Sequence, residues 1–397
     1  MNSISENFKK HRLYSEFIEI KNRLKNYNFV CWVAGGAVRD FILDRGAADI
    51  DLVTDASTEN LKILFPEAIL VGESFGVLKI PTKDGGLIDL ATFREESDYL
   101  DGRRPSKVAA STPLADSLRR DFTINSMFWD DEAGQLRDYQ GGLSDLHMRK
   151  IKAVGAPETR FEEDKLRILR LVRFAAQLRF QIDLNTQEAA VKFISRLDQI
   201  SGERIWVELK KIDESKNWGF IADNPIWRGV IEYLAGEKCD FDRLSALRRS
   251  SIPTLLVFVV LYPERDLQKI LKERLKLSNS ELEYYKDINW IMNYGQYLEP
   301  AELIFEFEKS PQRKSIFWNL SEYGLVPFGL FRNISELIKN IEPPWFEPKD
   351  ILEIVPPQKI RDEMKFCRLA QLKKEIPTKD GCLDILRKKY AGKAEKP

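Results

Sequence analysis

The hydrophobic pattern of this 397-residue chain changes character near residue 162, and that change most constrains how the chain folds. Before this point, short β-rich apolar runs alternate with glycine turns and helical stretches, which is typical of a mixed sheet with helices. After it, apolar residues recur at three- and four-residue spacing, as in amphipathic helices. The pattern therefore predicts an α+β head of about 150 residues followed by an all-helical remainder.

The head is predicted to contain short strands separated by turns. The strands are expected at Phe29–Ala34, Ile50–Val53, Ala68–Gly72, Phe75–Ile80 and Leu87–Phe93. A helix is expected over Val38–Leu43, directly after a pair of glycines. We expect a mobile loop at Ser97–Val108, where glycine, proline and charged residues are concentrated.

The counts of histidine and cysteine exclude several kinds of site. Two histidines, His11 and His147, cannot build a multi-histidine metal site, and neither is a good candidate base for a Ser-His-Asp or Cys-His arrangement. The four cysteines are scattered without a CxxC pair, which is typical of a reduced, cytoplasmic protein. If the chain is an enzyme, carboxylates and arginines must carry the chemistry.

Charge and hydropathy indicate whether the chain is expected to bind membranes or nucleic acid. The N-terminal residues are polar and the most apolar run, Ile252–Tyr262, is short, so we expect neither a signal peptide nor a membrane span. Lys and Arg total 62 and Asp and Glu total 62, which argues against a uniformly basic nucleic-acid-binding surface but is compatible with a local groove. Residues 151–397 carry a net charge of only +4, few cations for tracking RNA phosphates.

One strand–turn–helix segment is suited to binding phosphate. Gly35 and Gly36 follow the first expected strand, and two glycines let the backbone approach a bulky anion closely. A helix that begins there presents free N–H groups, and Arg39 adds a bidentate donor. A pair of glycines alone is usually only a turn, so a phosphate site requires further polar residues close to it.

Carboxylates come next in the chain, at a spacing suited to a metal ion. Asp49 and Asp51 stand two residues apart, so on a strand both side chains project from one face. Together with Asp89 on a later expected strand, they are suited to hold Mg²⁺. A DxD alone is most often a turn or a solvated edge, but its combination with the glycine turn favours a site.

The residues GGAVRD, followed by DID, resemble the nucleotidyltransferase superfamily related to DNA polymerase β. More narrowly, they resemble the class II tRNA nucleotidyltransferases (CCA-adding enzymes) and bacterial poly(A) polymerases. Further matches follow in order over roughly residues 30–215. They are RRDFTIN at 119–125, similar to the sugar- and phosphate-binding motif, DYQGG at 138–142, similar to the hinge motif, FEEDKLRILRLVRF at 161–174, similar to the base-selecting motif, and ERI with EL at 203–209, similar to the last neck motif.

The resemblance implies a fold and an activity. The implied parts are a polymerase β-like head at 1–148, a nucleotide-selecting neck at 149–215, a helical body at 216–300 and a helical tail at 301–397 that is a candidate for RNA binding. The implied activity is template-independent addition of C and A from CTP and ATP to the 3′ end of tRNA, with two Mg²⁺ ions. The sequence identifies no protein partner.

The matched motifs also imply residue roles. Asp49 and Asp51 are the implied metal ligands, and Asp89 stands where the family has a third carboxylate that orients or deprotonates the 3′-hydroxyl. The implied nucleotide-binding residues are Gly35, Gly36, Arg39, Arg120, Asp121, Asn125, Asp164, Arg167, Arg170 and Arg173.

Base selection is expected from one helix. A helical period from Asp164 to Arg173 places Asp164 and Arg167 on the same face, with Arg173 on the opposite side. A carboxylate accepts hydrogen bonds and a guanidinium donates them, which complements the amino group and ring nitrogen shared by cytosine and adenine. Leu166, Leu169, Val172 and Ala176 supply the buried stripe, so the polar residues are expected to face a cleft. The alternative is a surface helix with ion pairs along its exposed face.

Three other functions remain open at this point. A poly(A) polymerase shares nearly all of these motifs, although the net charge of +5 over residues 361–397 is modest for that group. A paralogue that has lost tRNA recognition would polymerise nucleotides on other primers or without RNA. A non-catalytic RNA- or nucleotide-binding module is the last alternative, and the pair Asp49 and Asp51 argues against it.

Overall fold

The computed structural model describes residues 2–71, 77–99, 105–247 and 252–391. The chain divides into two compact units, Met1–Lys238 with Arg274–Lys276, and Cys239–Glu273 with Leu277–Pro397. The first unit contains every residue predicted for the site. The finer division into head, neck, body and tail stays a prediction.

The first unit combines a sheet with helices. Its helices are α1 (Asn2–Lys9), α2 (Tyr14–Lys25), α3 (Gly36–Ile42), α4 (Thr58–Leu64), α5 (Pro113–Leu118), α6 (Gly142–His147), α7 (Pro157–Glu163), α8 (Leu166–Leu178), α9 (Leu184–Phe193), α10 (Gly202–Glu214), α11 (Trp218–Ile221) and α12 (Pro225–Ala235). Its strands are β1 (Trp32–Ala34), β2 (Asp51–Thr54), β3 (Ile69–Val71), β4 (Val77–Pro81), β5 (Leu87–Thr92), β6 (Arg94–Tyr99), β7 (Pro105–Ala110), β8 (Phe128–Asp130), β9 (Gln135–Arg137), β10 (Lys150–Ile151) and β11 (Gln181–Ile182).

The main sheet of the described residues has seven strands in the order β3-β4-β5-β2-β1-β8-β9. Strands β2 and β5 pair in parallel, while β1 pairs antiparallel with both β2 and β8. The register of β1 and β2 places Ala34 opposite Asp51, so the glycine turn begins beside the first residue of β2. An α+β head followed by helices is therefore confirmed.

The predicted strands are present with shifted ends. The first strand begins at Trp32 rather than at Phe29, because the chain before it bonds to a side chain instead of a ladder. The backbone N–H of Val30 donates to Asp55 Oδ1 over 2.8 Å. The apolar side chains of β1 and β2 and their neighbours form the core here, with Ala34, Val53, Phe93 and Phe128 buried. Each large apolar side chain buried in this way contributes about 1.5–3 kcal/mol.

The expected mobile loop at Ser97–Val108 is wrong for most of its length. Its two ends lie in β6 and β7, which pair antiparallel from Arg94 opposite Ala110 to Tyr99 opposite Pro105. Residues 100–104 lie outside the described residues. Composition favoured a loop because charged residues lower β-propensity, but backbone pairing between two such segments outweighs it.

Helix α8 is buried on more than one side. The predicted stripe of Leu166, Leu169, Val172 and Ala176 is buried, as expected. Arg167 and Arg173 are buried too, so the expectation that the polar residues face an open cleft is wrong for these two. Neighbouring helices cover several faces of α8, and periodicity alone identifies only one of them.

The second unit is helical throughout its described part. Its helices are α13 (Thr254–Leu261), α14 (Gln268–Leu275, whose last two residues are assigned to the first unit), α15 (Asn279–Asn293), α16 (Pro300–Lys309), α17 (Pro311–Glu322), α18 (Phe328–Lys339), α19 (Ile360–Lys373) and α20 (Lys379–Tyr390). The strongly apolar α13 is buried along most of its length. In the described part of the chain, every helix is too short or too polar to cross a membrane.

At Gly142, α6 packs closely against the neighbouring Thr123–Asn125 turn, and a substitution at this position tests that contact. A Cβ at Gly142 would lie 2.1 Å from the backbone oxygen of Thr123, far inside van der Waals contact. We expect Gly142→Ala to lower the free energy of unfolding by on the order of 3 kcal/mol, because backbone must move to admit the methyl group. Urea denaturation measures this change.

Gly46→Ala is the matched control, since a Cβ there meets no atom within 4 Å. We expect it to change the free energy of unfolding by less than about 0.5 kcal/mol. Equal effects of the two substitutions would contradict the close approach at Gly142.

Candidate active site

Two carboxylates lie side by side where β2 and β5 pair. The parallel register places Asp51, the first residue of β2, directly opposite Asp89 in β5. Residues in register on adjacent strands project to the same face of a sheet. Asp49 precedes β2 in the loop, so the prediction that Asp49 and Asp51 lie together on a strand is wrong. The ladder of β2 begins only at Asp51, where Ala34 of β1 pairs with it.

Negative charge accumulates at this edge of the sheet. The Asp49 side chain is 81% exposed. The pKa of the Asp51 carboxyl is raised above its usual value, first because packed neighbours limit its hydration and second because Asp89 lies close. Asp49 adds to the rise, whereas Arg120 and Lys79 act against it. Three carboxylates so placed attract a cation, because its charge would relieve their repulsion.

The donor chemistry at this edge fits Mg²⁺. Within the described ranges, no group of three or more His, Cys, Asp or Glu side chains forms a ready-made cage for a metal ion. Mg²⁺ does not need such a cage, since it is commonly bound by one or two carboxylates together with water and substrate phosphates. Asp49 and Asp51 offer hard oxygen donors of that kind.

The glycine turn holds an arginine near these carboxylates. Gly35 has a φ of +68°, a conformation that favours glycine, and its N–H donates to the Met127 carbonyl over 3.0 Å. A Cβ at Gly35 would lie 2.9 Å from Arg120 Nη1. Glycine is therefore required here both by the backbone and by the arginine that packs on it. Gly36 begins α3 one residue later.

A buried polar chain runs from α3 to α8. Arg39 Nη1 donates to Asn125 Oδ1 over 2.6 Å, and Asn125 Nδ2 donates to Asp121 Oδ1 over 3.1 Å. Arg170 then donates through Nε and Nη2 to Asp121 Oδ2 over 2.8 Å and 2.5 Å. Burial alone would raise the pKa of Asp121, but Arg170 and Asn125 lower it to about 2. The structure thus brings together four of the predicted nucleotide-binding residues.

Asp116 is a partner that sequence reasoning missed. It is fully buried and accepts from Arg119 Nη2 over 2.7 Å and from Arg120 Nη2 over 2.9 Å. Arg120 Nη1 also donates to the Asn125 carbonyl over 3.3 Å. The spacing of Asp116 from the two arginines, three and four residues along the chain, is the signal that could have revealed it.

The prediction of one helix over residues 164–173 is wrong at its start. Asp164 has extended backbone, with φ −146°, and separates α7 from α8. Its Oδ1 accepts from the Leu166 N–H over 3.0 Å, and its Oδ2 lies 3.4 Å from Arg204 Nη2. Because its backbone is extended and its side chain accepts the first N–H of α8, Asp164 ends the preceding helix and does not share a helical face with Arg167.

Arg167 and Arg173 each have a carboxylate partner of their own. Arg167 Nη1 donates to Glu163 Oε2 over 2.7 Å, and its Nη2 donates to the Arg119 carbonyl over 2.9 Å. Arg173 Nε lies 3.2 Å from Glu208 Oε2, and both residues are buried. Burial and the nearby Arg170 lower the pKa of Arg173. Arg173 therefore packs α8 against α10, the helix that also supplies Arg204 to Asp164.

Comparison with known proteins matches this arrangement. The family described as "Poly A polymerase head domain" matches residues 31–152, and "Probable RNA and SrmB- binding site of polymerase A" matches residues 179–219. The chain is 38% identical over 331 residues to the CCA-adding enzyme of Staphylococcus epidermidis, which covers 83% of this chain and 79% of that protein. It belongs to the class II CCA-adding enzyme and poly(A) polymerase family. The family resemblance carried by the motifs is thus confirmed.

Other relatives align over a shorter stretch. The CCA-adding enzyme of Bacillus licheniformis is 39% identical over 237 residues, 59% of this chain and 59% of that protein. With that relative, the chain spans under two thirds of the other protein's length. This match supports membership of the family, and the activity of the whole protein remains a proposal.

Solved structures of the family share the fold along nearly the whole chain. The Bacillus stearothermophilus CCA-adding enzyme in complex with CTP superposes with a TM-score of 0.70 at 23% identity, covering 96% of this chain and 99% of that one. The Thermotoga maritima CCA-adding enzyme complexed with tRNA has a TM-score of 0.74 at 22% identity, with 98% of both chains covered. At this identity the likeness concerns the fold.

The low pKa of Asp121 predicts an acid-dependent loss of stability. Since the folded pKa of about 2 lies below the ordinary 3.8, the stabilisation is complete above about pH 4 and is lost as pH falls toward 2. We expect Asp121→Asn to cost about 2 kcal/mol of unfolding free energy at neutral pH, and this difference from wild type to shrink below pH 4. Urea denaturation across pH 2–7 measures it.

The exposed carboxylate Asp44 supplies the control. We expect Asp44→Asn to leave the free energy of unfolding within about 0.5 kcal/mol of wild type at every pH. A cost of Asp121→Asn that stays constant from pH 7 to pH 2 would contradict the assigned ion pair.

Proposed function

We propose that this protein adds C, C and A from CTP and ATP to the 3′ end of tRNA without a nucleic-acid template. The observation that carries the proposal is the register of Asp51 with Asp89, beside the Gly35 turn and the arginines packed on it. Relatives named CCA-adding enzymes, at 38–39% identity, support the same activity. Structures of CCA-adding enzymes in complex with CTP, ATP and tRNA support the same substrates.

The chemistry is displacement at the α-phosphorus of the nucleotide. The 3′ oxygen of the RNA forms a bond to that phosphorus as the bond to pyrophosphate breaks, and the hydroxyl proton leaves. Two Mg²⁺ ions, when bound, make the 3′-hydroxyl more acidic and offset the charge of the leaving pyrophosphate. Asp49 and Asp51 would hold these ions, and Asp89 would orient the hydroxyl or accept its proton. No histidine is needed, because such a reaction depends on positioning and charge neutralisation.

Arginines and glycines hold the nucleotide. A guanidinium has five N–H donors, and hydrogen bonds within the protein occupy three of them in Arg120 and three in Arg39. The remaining donors are assigned to the triphosphate, which the turn at Gly35 and Gly36 lets approach the backbone. Asp121 and Asn125, joined to Arg170, are assigned to the sugar side of the pocket.

Base choice is assigned to Asp164 and Arg167. Asp164 lies in the break between α7 and α8 and Arg167 lies in the first turn of α8, where Glu163 and the Arg119 carbonyl fix it. A fixed acceptor and a fixed donor present a constant pattern to the base, which suits selection without a template. Arg173 is assigned a supporting role, because Glu208 engages it.

We place this activity in the cytoplasm, since the four cysteines form no disulfide, which fits a reducing environment. A poly(A) polymerase is the second candidate, and the description of the matched head family favours it. The two activities differ in acceptor and in product length, so one assay separates them.

The assay supplies Mg²⁺ and each labelled nucleotide with four acceptors: tRNA ending before CCA, tRNA ending in CC, an unrelated RNA, and no RNA. We expect ordered addition of C, C and A to tRNA that then stops. A long A tract on unrelated RNA would favour the poly(A) polymerase. Product formed without any RNA would indicate a paralogue that polymerises nucleotides without an acceptor.

We expect Asp51→Ala to abolish all incorporation, because the metal site loses a ligand. Asp55→Asn is the matched control, because it neutralises an exposed carboxylate that follows the same strand and keeps the oxygen that accepts from the Val30 N–H.

Arg167→Ala tests base selection. We expect the ratio of kcat/KM for CTP over UTP to fall by about tenfold or more, because a donor to the ring nitrogen is lost. Competition between labelled CTP and UTP on the same tRNA measures the ratio.

Arg196→Ala, an exposed arginine paired with Glu162, is the control and should leave that ratio unchanged. Thermal melting checks that the variant lacking the buried Arg167 still folds. Full selectivity in a folded Arg167→Ala protein would show that another residue reads the base.

A further inference from the structure

A lysine continues the row of carboxylates across the sheet. Strands β4 and β5 pair antiparallel with Lys79 opposite Asp89, and β5 and β2 pair in parallel with Asp89 opposite Asp51. The three residues therefore stand in register on three adjacent strands and project from the same face. The motifs in the sequence include both carboxylates and leave Lys79 out.

The lysine is in direct contact with the third carboxylate. Lys79 Nζ lies 2.6 Å from Asp89 Oδ1, and the two side chains are 32% and 38% exposed. One carboxylate oxygen of Asp89 is thus engaged by an ammonium group, and Oδ2 has no protein donor among the described residues. Such a contact lowers the rotational freedom of the carboxylate.

Arg12 is a second cation near these carboxylates, but its close ion pair is with Asp84. Arg12 Nη2 lies 4.0 Å from Asp49 Oδ1, whereas Arg12 Nη1 lies 2.6 Å from Asp84 Oδ2. Arg120 also acts on Asp51, but among these cations Lys79 is the one that contacts Asp89 directly. Its charge repels a metal ion at Asp51 while its hydrogen bond orders Asp89.

We propose that Lys79 is a positioning residue for nucleotidyl transfer, which holds Asp89 through Oδ1 and leaves Oδ2 to the attacking 3′-hydroxyl. The inference rests on the proposed function, since it takes Asp89 as the group that orients that hydroxyl. The Lys79 ammonium group has two opposite effects. It weakens metal binding somewhat, and it fixes the orientation of the reacting Asp89 carboxylate. Loss of Lys79 therefore changes metal binding and turnover in opposite senses.

The experiment compares Lys79→Met with Lys79→Arg. Mn²⁺ alone is titrated into each protein and its binding followed by electron paramagnetic resonance, without RNA or nucleotide. We expect Lys79→Met to bind Mn²⁺ about two- to fivefold more tightly, because one nearby surface charge is removed. We expect its kcat for C addition to fall about tenfold with KM for CTP nearly unchanged, because a misplaced group slows the chemical step. Lys79→Arg keeps the charge and the donor, so it should restore most of both values.

Lys83→Met is the matched control. Lys83 lies four residues along the chain, is exposed and pairs with Glu19 rather than with the cluster. We expect it to leave Mn²⁺ affinity and kcat unchanged. We further expect the kcat effects of Lys79→Met and Asp89→Asn to be non-additive when combined, because both remove the same ordered carboxylate.

Mn²⁺ binding by Lys79→Met that is unchanged or weaker would overturn the proposal, as would additive effects in the double variant. Circular dichroism melting checks folding, and Lys79→Gln replaces Lys79→Met if the latter does not fold. Failure of the proposed function is seen separately, because wild-type protein would then add no C or A to tRNA while its Mn²⁺ titration is still measured.

Discussion

Asp121 accepts hydrogen bonds from Arg170 and Asn125 away from water, and the rest of the site depends on that contact. A buried carboxylate without such partners would strongly destabilise the fold. The Asp121 carboxylate therefore depends on the arginine that α8 supplies. Through Asn125 the same carboxylate is tied to Arg39 on α3. The glycine turn and α8, proposed to bind phosphate and to select the base, are thus joined by one buried polar chain.

In this site most of the arginines are buried, whereas the acidic cluster includes an exposed carboxylate. Its arginines are largely buried and held by carboxylates, as Arg120 is by Asp116. Of the carboxylates proposed as metal ligands, by contrast, Asp49 is exposed and the pKa of Asp51 is raised by burial and by the nearby Asp89. This arrangement suits the proposed binding of an anionic nucleotide with its metal ions, in which fixed donors would face the phosphates and the carboxylates would bind the cations. A net charge of zero for the chain is compatible with this site, because opposite charges are concentrated in different places.

Much of the head could be predicted from sequence because its signals are local. The glycine turn after β1 and the apolar runs of β2 and β5 are short-range patterns, and the structure contains them with small shifts. Predictions that depended on a neighbour failed more often. Periodicity predicts a helix at Asp164, but its side chain accepts the Leu166 N–H and its extended backbone separates α7 from α8. The β6–β7 hairpin was missed because pairing between two polar segments is invisible in either segment alone.

The sequence by itself determined the chemistry that was available: carboxylates and arginines rather than histidines, in an order that identifies the family. Only the tertiary structure decided which of these groups meet. Asp51 and Asp89 become neighbours through the parallel pairing of β2 and β5, and Lys79 joins them through the register of β4. The physical reason is that register is set by backbone hydrogen bonds and by the burial of whole strands, so it brings together residues far apart in the chain.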